Sequence, residues 1–307
     1  MTVATPRERI VFLGSGPVAA RSLELLAESF VIEAVITKST TEQMLRDVTP
    51  EGAPVLIANT KKELDLITQQ SQFTSKIAIV IDYGVIISRE SIERFPLGII
   101  NSHFSLLPEW RGADPITFSL LSGQTETGVS VMLINQALDE GDLLAQASYA
   151  LSPSTTTPQL TQDLIELSNA LLVEIVPSYL AGNVVPADQI AASIAPSKQP
   201  SYSRKLTKAD GTLDFTKPAE ILEREVRAFL EWPKSRTRIA NRDVVITSTK
   251  VVDLQIGEAG TCVQHEKRLF VQATPGALEI LALKPAGKKE MTAAAFLAGY
   301  GHSIDRL

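Results

Sequence analysis

Cysteine is nearly absent from this 307-residue chain: Cys262 stands alone, so no internal disulfide can form and a thiolate zinc site lacks ligands. The three histidines, His103, His265 and His302, are far apart and show no ligand spacing, so no metal is expected. No stretch reaches the roughly 18 uninterrupted apolar residues needed to span a bilayer, and residues 1–9 carry no apolar run of signal-peptide length. A cytoplasmic protein without a membrane partner is the expectation. The chain also lacks a Gly-x-Ser-x-Gly elbow and a Walker A pattern, which argues against serine-nucleophile and P-loop phosphoryl-transfer chemistry. There is no internal repeat and no low-complexity tract.

What is present is ordinary globular composition, 44% hydrophobic and 21% charged, in a chain long enough for two domains. The net charge of −6 hides an asymmetry. Cut near Ser197, residues 1–197 hold 11 Lys/Arg against 22 Asp/Glu, whereas residues 198–307 hold 18 against 13. A basic C-terminal third fits contact with a polyanion, and it equally fits a merely solvated basic face.

Apolar patterning places strands at 9–13, 31–36, 77–81, 98–102 and 129–134, alternating with helices at 16–26, 61–69, 89–94 and 157–181. Such alternation predicts an α/β, Rossmann-like doubly wound sheet over residues 1–186. Residues 187–204, rich in Ala, Ser, Pro and Gln, read as a linker. Residues 205–307 open with a helix after Lys217-Pro218 whose apolar stripe is Ile221, Leu222, Val226, Phe229 and Leu230, with Arg224 and Arg227 left to solvent. Short strands at 236–239, 244–247, 269–273 and 278–283, separated by Asn241-Arg242-Asp243 and Pro275-Gly276, predict a small β-barrel or meander, and an OB-like β-barrel suits the basic charge.

Gly14-Ser15-Gly16 follows the first strand as a dinucleotide fingerprint would, but no acidic residue ends the second strand to hold a ribose; a tight strand-to-helix turn is the preferred reading. A stronger candidate emerges from Ile99-Ile100-Asn101-Ser102-His103-Phe104-Ser105. In an extended chain Asn101, His103 and Ser105 share one face, at the end of a central strand where open α/β sheets bind ligands. A lone histidine is often purely structural, but an amide two residues before it strengthens the chemical reading. Asp139, in the turn Ala137-Leu138-Asp139-Glu140-Gly141-Asp142, can supply a carboxylate, although acidic turn residues commonly serve only to cap. A carboxylate beside an imidazole fixes its tautomer and favours its charged form, and an amide with an imidazolium stabilises an oxyanion. The three together suit acyl transfer to an amine without a covalent intermediate.

With those residues in hand, the chain resembles the 10-formyltetrahydrofolate-dependent formyltransferases. The resemblance is carried by NSHFSLLPEWRGADPI (101–116) and ETGVSVMLINQALDEGDLLAQ (126–146), and in the later part by YSRKLTKADGTLDF (202–215), VRAFLEWP (226–233) and LKPAGKKEM (283–291). It is closest to the branch that formylates methionyl-tRNA. It implies that Asn101, His103 and Asp139 carry catalysis, that Ser105, Leu106, Leu107 and Pro108 line the folate site, and that backbone around Val85, Ile86 and Ile87 receives the pterin ring. Its co-substrate would be 10-formyltetrahydrofolate and its acceptor initiator methionyl-tRNA, with a monomer expected. A formyltransferase for an amino sugar or other small amine, and a catalytically silent nucleotide- or tRNA-binding module, remain as alternatives. Three departures stand out: Phe104 where the family has glycine, Asp82 where a small residue is common, and a short segment 37–54 whose only cations are Lys38 and Arg46. Recognition of tRNA would then lean on the basic tail, with Lys205, Lys208, Arg236, Arg238, Lys288 and Lys289 as candidates for phosphate contacts.

Overall fold

The computed structural model describes residues 7–194 and 199–307. The charge boundary at Ser197 and part of the expected 187–204 linker fall in 195–198, outside the described residues. The chain packs into two units: one is drawn from residues up to Pro115, Glu126–Leu151 and Thr161–Ser203, the other from Ile116–Thr125, Ser152–Leu160 and Arg204–Leu307.

The first unit starts with β1 (Arg9–Gly14), in which Ile10, Val11, Phe12 and Leu13 are all fully buried, as a strand covered on both faces must be. It continues through α1 (Gly16–Ser29), β2 (Val31–Thr37), α2 (Glu42–Val48), β3 (Val55–Ile57), α3 (Lys61–Gln70), β4 (Ala78–Ile81), α4 (Arg89–Ile92) and β5 (Ile99–His103). Thr60 starts α3 with a capping box: its hydroxyl accepts from Glu63 N, while Glu63 reaches back to Thr60 N. Beyond β5 the chain passes through β6 (Arg111–Gly112), α5 (Pro115–Ser122, in the other unit from Ile116 on), β7 (Glu126–Leu133), β8 (Leu143–Ala150), α6 (Thr157–Leu180, in this unit from Thr161 on), α7 (Gln189–Ala192) and β9 (Tyr202–Ser203). The strand order is β3-β2-β1-β4-β5-β7-β8, parallel through β5. This is the Rossmann-like sheet expected, with one difference. β7 and β8 run antiparallel, so the sheet ends in a hairpin rather than a further crossover. The short β6 and β9 pair with each other, off the main sheet. Within 187–204, where no regular element is expected, lie α7, β9 and a bridge from Ala187 to Leu143.

The second unit is built on α8 (Ala219–Ala228), β10 (Ser235–Ile239), β11 (Arg242–Val252), β12 (Cys262–His265), β13 (Arg268–Gln272), β14 (Ala277–Pro285), β15 (Met291–Thr292), α9 (Ala293–Tyr300) and β16 (Asp305–Arg306). Its sheet runs β10-β11-β14-β13-β12-β16, with β15 on β14. Among the described residues β10 and β16 do not pair with each other, so the sheet is an open partial barrel, in keeping with the OB-like architecture expected. Ala240 and Asn241, both with positive φ (50° and 57°), form the two-residue turn between β10 and β11, one residue earlier than the turn signal suggests. Leu222, Val226, Leu278, Ile280, Leu283 and Phe296 share its core.

The α8 stripe needs correction at both edges. Ile221 is exposed, and the two arginines are engaged rather than solvated: Arg227 pairs with Glu223 and donates to Thr155 O, and Arg224 donates to Leu121 O. Among the described residues, no helix is long and apolar enough to cross a membrane.

Candidate active site

Strand alternation divides β5 cleanly. Ile100 and Ser102 point one way, where the Ser102 hydroxyl shares a 2.6 Å hydrogen bond with Ser168 of α6. Ile99, Asn101 and His103 point the other way. Ile99 belongs to the core with Val80, Tyr83 and Phe95, and two residues on the same face turns polar as the strand reaches its carboxyl end. Asn101 is half-buried and His103 buried, and His103 lies opposite Ser130 of β7.

The turn after β7 brings Asp139 to this face. Its Oδ1 lies 3.5 Å from Asn101 Nδ2, and its Oδ2 3.9 Å from His103 Nδ1 while accepting a 2.7 Å hydrogen bond from Gly112 N. The other ring nitrogen, His103 Nε2, donates to Trp110 O at 2.9 Å. A carbonyl can only accept, so the proton on Nε2 is committed there and Nδ1 is the atom turned to Asp139. One carboxylate thus faces an amide donor and an imidazole nitrogen in a half-buried place. That arrangement can hold developing negative charge on oxygen and take a proton from a nitrogen nucleophile. The backbone is strained around it: Asp82, Trp110 and Asp139 have φ of 48°, 54° and 53°.

Sequence reasoning placed Ser105 with Asn101 and His103, and the structure separates it. Its hydroxyl donates to Glu109 O at 2.6 Å, and the side chain is fully buried. Leu106, Leu107 and Pro108 are buried too, with Leu107 packed on Met132 and Leu143. Ser130 and Gln146 hold the backbone here: Ser130 Oγ accepts from Leu107 N and donates to Ser105 O, while Gln146 Nε2 donates to Leu107 O. The stretch 105–108 therefore presents a fixed wall. Residues 85–87 differ. Val85 and Ile87 pack on the core, Ile86 is 78% exposed, and among the described residues their peptide groups make no hydrogen bond, leaving donors and acceptors open beyond the carboxyl end of β4. Those unpaired peptide groups fit the edge of a heteroaromatic ring such as a pterin.

The Gly14-Ser15-Gly16 turn is stitched to β4 instead of being open to a phosphate. Ser15 N and Oγ both donate to Asp82 O at 3.0 Å, and a side chain on Gly14 would strike Ala19, Phe12 and Ile81. Asp82 keeps contact with solvent, yet burial against the surrounding protein pushes its carboxyl up to about 6; the Lys38 charge opposes the shift and the Asp114 charge adds to it. Phe104 is buried and has no positive φ, so this position makes no demand for glycine. In 37–54 the chain folds into a 3-10 turn and α2, where Arg46 pairs with Glu42. In the second unit Lys205, Lys208, Lys288 and Lys289 are exposed, while Arg236 donates to Lys208 O and Arg238 lies 3.7 Å from Asp243.

Several residues at this site escape sequence reading: Arg111, Gly112, Glu140 and Gln189. Arg111 and Gly112 sit inside the 101–116 block, which was the available signal; Gln189 sits in the expected linker, where nothing pointed to it. Among the described residues, no group of three or more His, Cys, Asp or Glu could hold a metal ion.

The sheet order and an amide–imidazole–carboxylate cluster at the carboxyl end of β5 fit an enzyme of acyl-transfer type. The chain belongs to the formyl transferase family: the model described as "Formyl transferase" matches residues 8–176, and "Formyl transferase, C-terminal domain" matches residues 205–301. Whole-length relatives include the methionyl-tRNA formyltransferase of Chloroflexus aggregans, 33% identical over 95% of this chain and 97% of its own length. That of Myxococcus xanthus is 32% identical over 96% of each. Among solved structures, HypX from Aquifex aeolicus in complex with tetrahydrofolic acid is similar in fold at a TM-score of 0.64 and 15% identity, covering 97% of this chain and 49% of that one. WlaRD, a sugar 3N-formyl transferase, has a TM-score of 0.66 at 18% identity, covering 93% of this chain and 100% of that one.

Proposed function

We propose that the protein transfers the formyl group of 10-formyltetrahydrofolate to the α-amine of initiator methionyl-tRNA. The observation that carries the chemistry is Asp139 facing both Asn101 Nδ2 and His103 Nδ1. The acceptor rests on likeness to methionyl-tRNA formyltransferases that extends across both units.

The reduced folate supplies an activated formyl carbon when bound, against the open peptide groups of 85–87 and the wall formed by 105–108. Asn101 Nδ2–H, with an Nδ1–H on His103, donates to the formyl oxygen as the amine attacks, so charge gathers where two donors are already fixed. Trp110 O keeps the imidazole from rotating. Asp139 takes the proton released by the attacking nitrogen and hands it to the folate nitrogen as the bond from that nitrogen to the formyl carbon breaks, leaving a neutral formamide and tetrahydrofolate. The exposed lysines of the second unit and Lys38 are the phosphate contacts of this reading, and the protein acts as a monomer.

The test is formyl transfer from 10-formyltetrahydrofolate to charged initiator tRNA, run beside amino sugars and small amines. Transfer to tRNA is expected, and Asn101→Ala or His103→Ala should each lower kcat about a hundredfold, about 3 kcal/mol. Transfer to an amino sugar but not to tRNA overturns the acceptor, and wild-type rates in both variants overturn the site.

A further inference from the structure

The carboxylate of Asp139 is aimed by a side chain outside its own turn. Gln189, first residue of α7, is 2% exposed, and its Nε2 donates to two carbonyls of the 139–141 turn, Asp139 O and Gly141 O, each at 2.8 Å. Its Oε1 accepts from Arg111 Nε at 3.3 Å and Nη2 at 2.8 Å. Arg111, 8% exposed, also donates from Nη1 to Glu140 Oε1 at 2.9 Å, and Tyr202 Oη shares that carboxylate. Arg111 is directly followed by Gly112, whose N–H holds Asp139 Oδ2. The contacts therefore close a loop: the Arg111-Gly112 dipeptide grips Asp139 twice, once at its carboxylate through the Gly112 amide and once at its backbone through Gln189.

Such a loop is what the turn requires. Asp139 has a φ of 53°, a conformation that costs an ordinary residue about 1–3 kcal/mol and persists only when its surroundings impose it. Gly141 has no room to adjust, because a side chain there would overlap Leu133 O. An amide is the right group for Gln189, since it must donate to two carbonyls and accept from a guanidinium at once; a carboxylate would face the carbonyls with oxygen, and an aliphatic chain would strip both carbonyls of this donor and leave Arg111 only Glu140 and Tyr202.

We infer that Gln189 is a positioning residue for formyl transfer, setting the carboxylate of Asp139 against Asn101 and His103 through the 139–141 backbone and Arg111. This rests on the proposed function above. Two variants probe it. Gln189→Leu removes donor and acceptor at nearly constant volume, and Gln189→Glu keeps the acceptor for Arg111 but loses the donor pair.

The measurements are kcat and KM for folate with methionyl-tRNA as acceptor, together with the Gly112 amide resonance in protein labelled with 15N-glycine. Both variants are expected to lose at least tenfold in kcat while KM for folate stays within about twofold. The Gly112 resonance should move toward its position in Asp139→Ala. Rates within twofold of wild type in both variants, or a Gly112 resonance unmoved in whichever variant is folded, overturn the inference. So does a fall in kcat matched by an equal loss of folate affinity, since general loosening would do that. A wild-type protein that formylates no acceptor sinks the proposed function instead, and the resonance measurement still decides whether Gln189 sets Asp139.

Discussion

Replacing Ser130 with alanine should loosen the wall beside the site, and the cost can be worked from its contacts. Ser130 is fully buried in β7, and its one donor and two acceptor positions are all used. It donates to Ser105 O at 2.7 Å and accepts from Leu107 N at 2.9 Å and Gln146 Nε2 at 2.7 Å. Gln146 keeps a second partner in Leu107 O. Ser130→Ala therefore strands one buried N–H and one buried carbonyl of the 105–108 stretch. Each unsatisfied group costs about 1–3 kcal/mol, less whatever relaxation recovers, so the loss is about 2–4 kcal/mol. In a unit of this size that corresponds to roughly 5–15 °C in melting temperature. Thermal unfolding followed by circular dichroism measures it, and steady-state kinetics should show KM for folate rising more than kcat falls, because the proposed function gives 105–108 to the folate site while Asn101, His103 and Asp139 are untouched. A melting temperature within about 2 °C of wild type would refute the reasoning.

Two further outcomes follow from the same site. Gly112→Ala should destabilise the protein by about 3 kcal/mol or more and abolish most activity: Gly112 has a φ of 110°, and a Cβ there would lie 2.4 Å from Ser203 O, so the N–H that holds Asp139 must move. Urea denaturation and kcat check both halves. Asp82→Asn should make the protein more stable at pH 8 and indifferent near pH 4. A carboxyl pushed up to about 6 in the folded state, against an ordinary value near 3.8 when unfolded, is neutral in both states below that lower value. It becomes a growing penalty as pH rises to about 6 and a constant one above. Solvent contact at Asp82 keeps the gain smaller than the shift itself implies. Paired urea titrations of wild type and variant at pH 4, 6 and 8 give the sign, and a variant less stable at pH 8 contradicts it.

Which parts of this molecule are legible in its sequence follows from the range of the interactions involved. Asn101 and His103 are found from the strand period alone, because facing is a local property of an extended chain. The same period misplaces Ser105: the chain leaves β5 after His103, and alternation no longer governs where a side chain points. The direction of β7 is invisible for a related reason. Burial on both faces gives an apolar run whether the neighbour is parallel or antiparallel, and only pairing decides. Closure of the second unit's sheet likewise depends on whether its two edges meet, which strand patterning does not state. Phe104 is visible in the sequence as a departure from the family pattern, but only the fold shows that it takes a negative φ and packs inward.

Gln189 marks the limit most sharply. It lies 50 residues from Asp139 and 78 from Arg111, in a stretch whose composition reads as a connector, and its importance exists only through three partners that the fold brings to it. Groups that project from a regular element, as Asn101 and His103 do from β5, leave a period in the sequence. Groups that aim them need only reach the right backbone from anywhere, and so leave none. An enzyme whose carboxylate sits on a strained turn therefore depends most on the residues its sequence advertises least. The compositional connector at 187–204, far from being a spacer to shorten or replace at will, holds one end of the catalytic geometry in this reading.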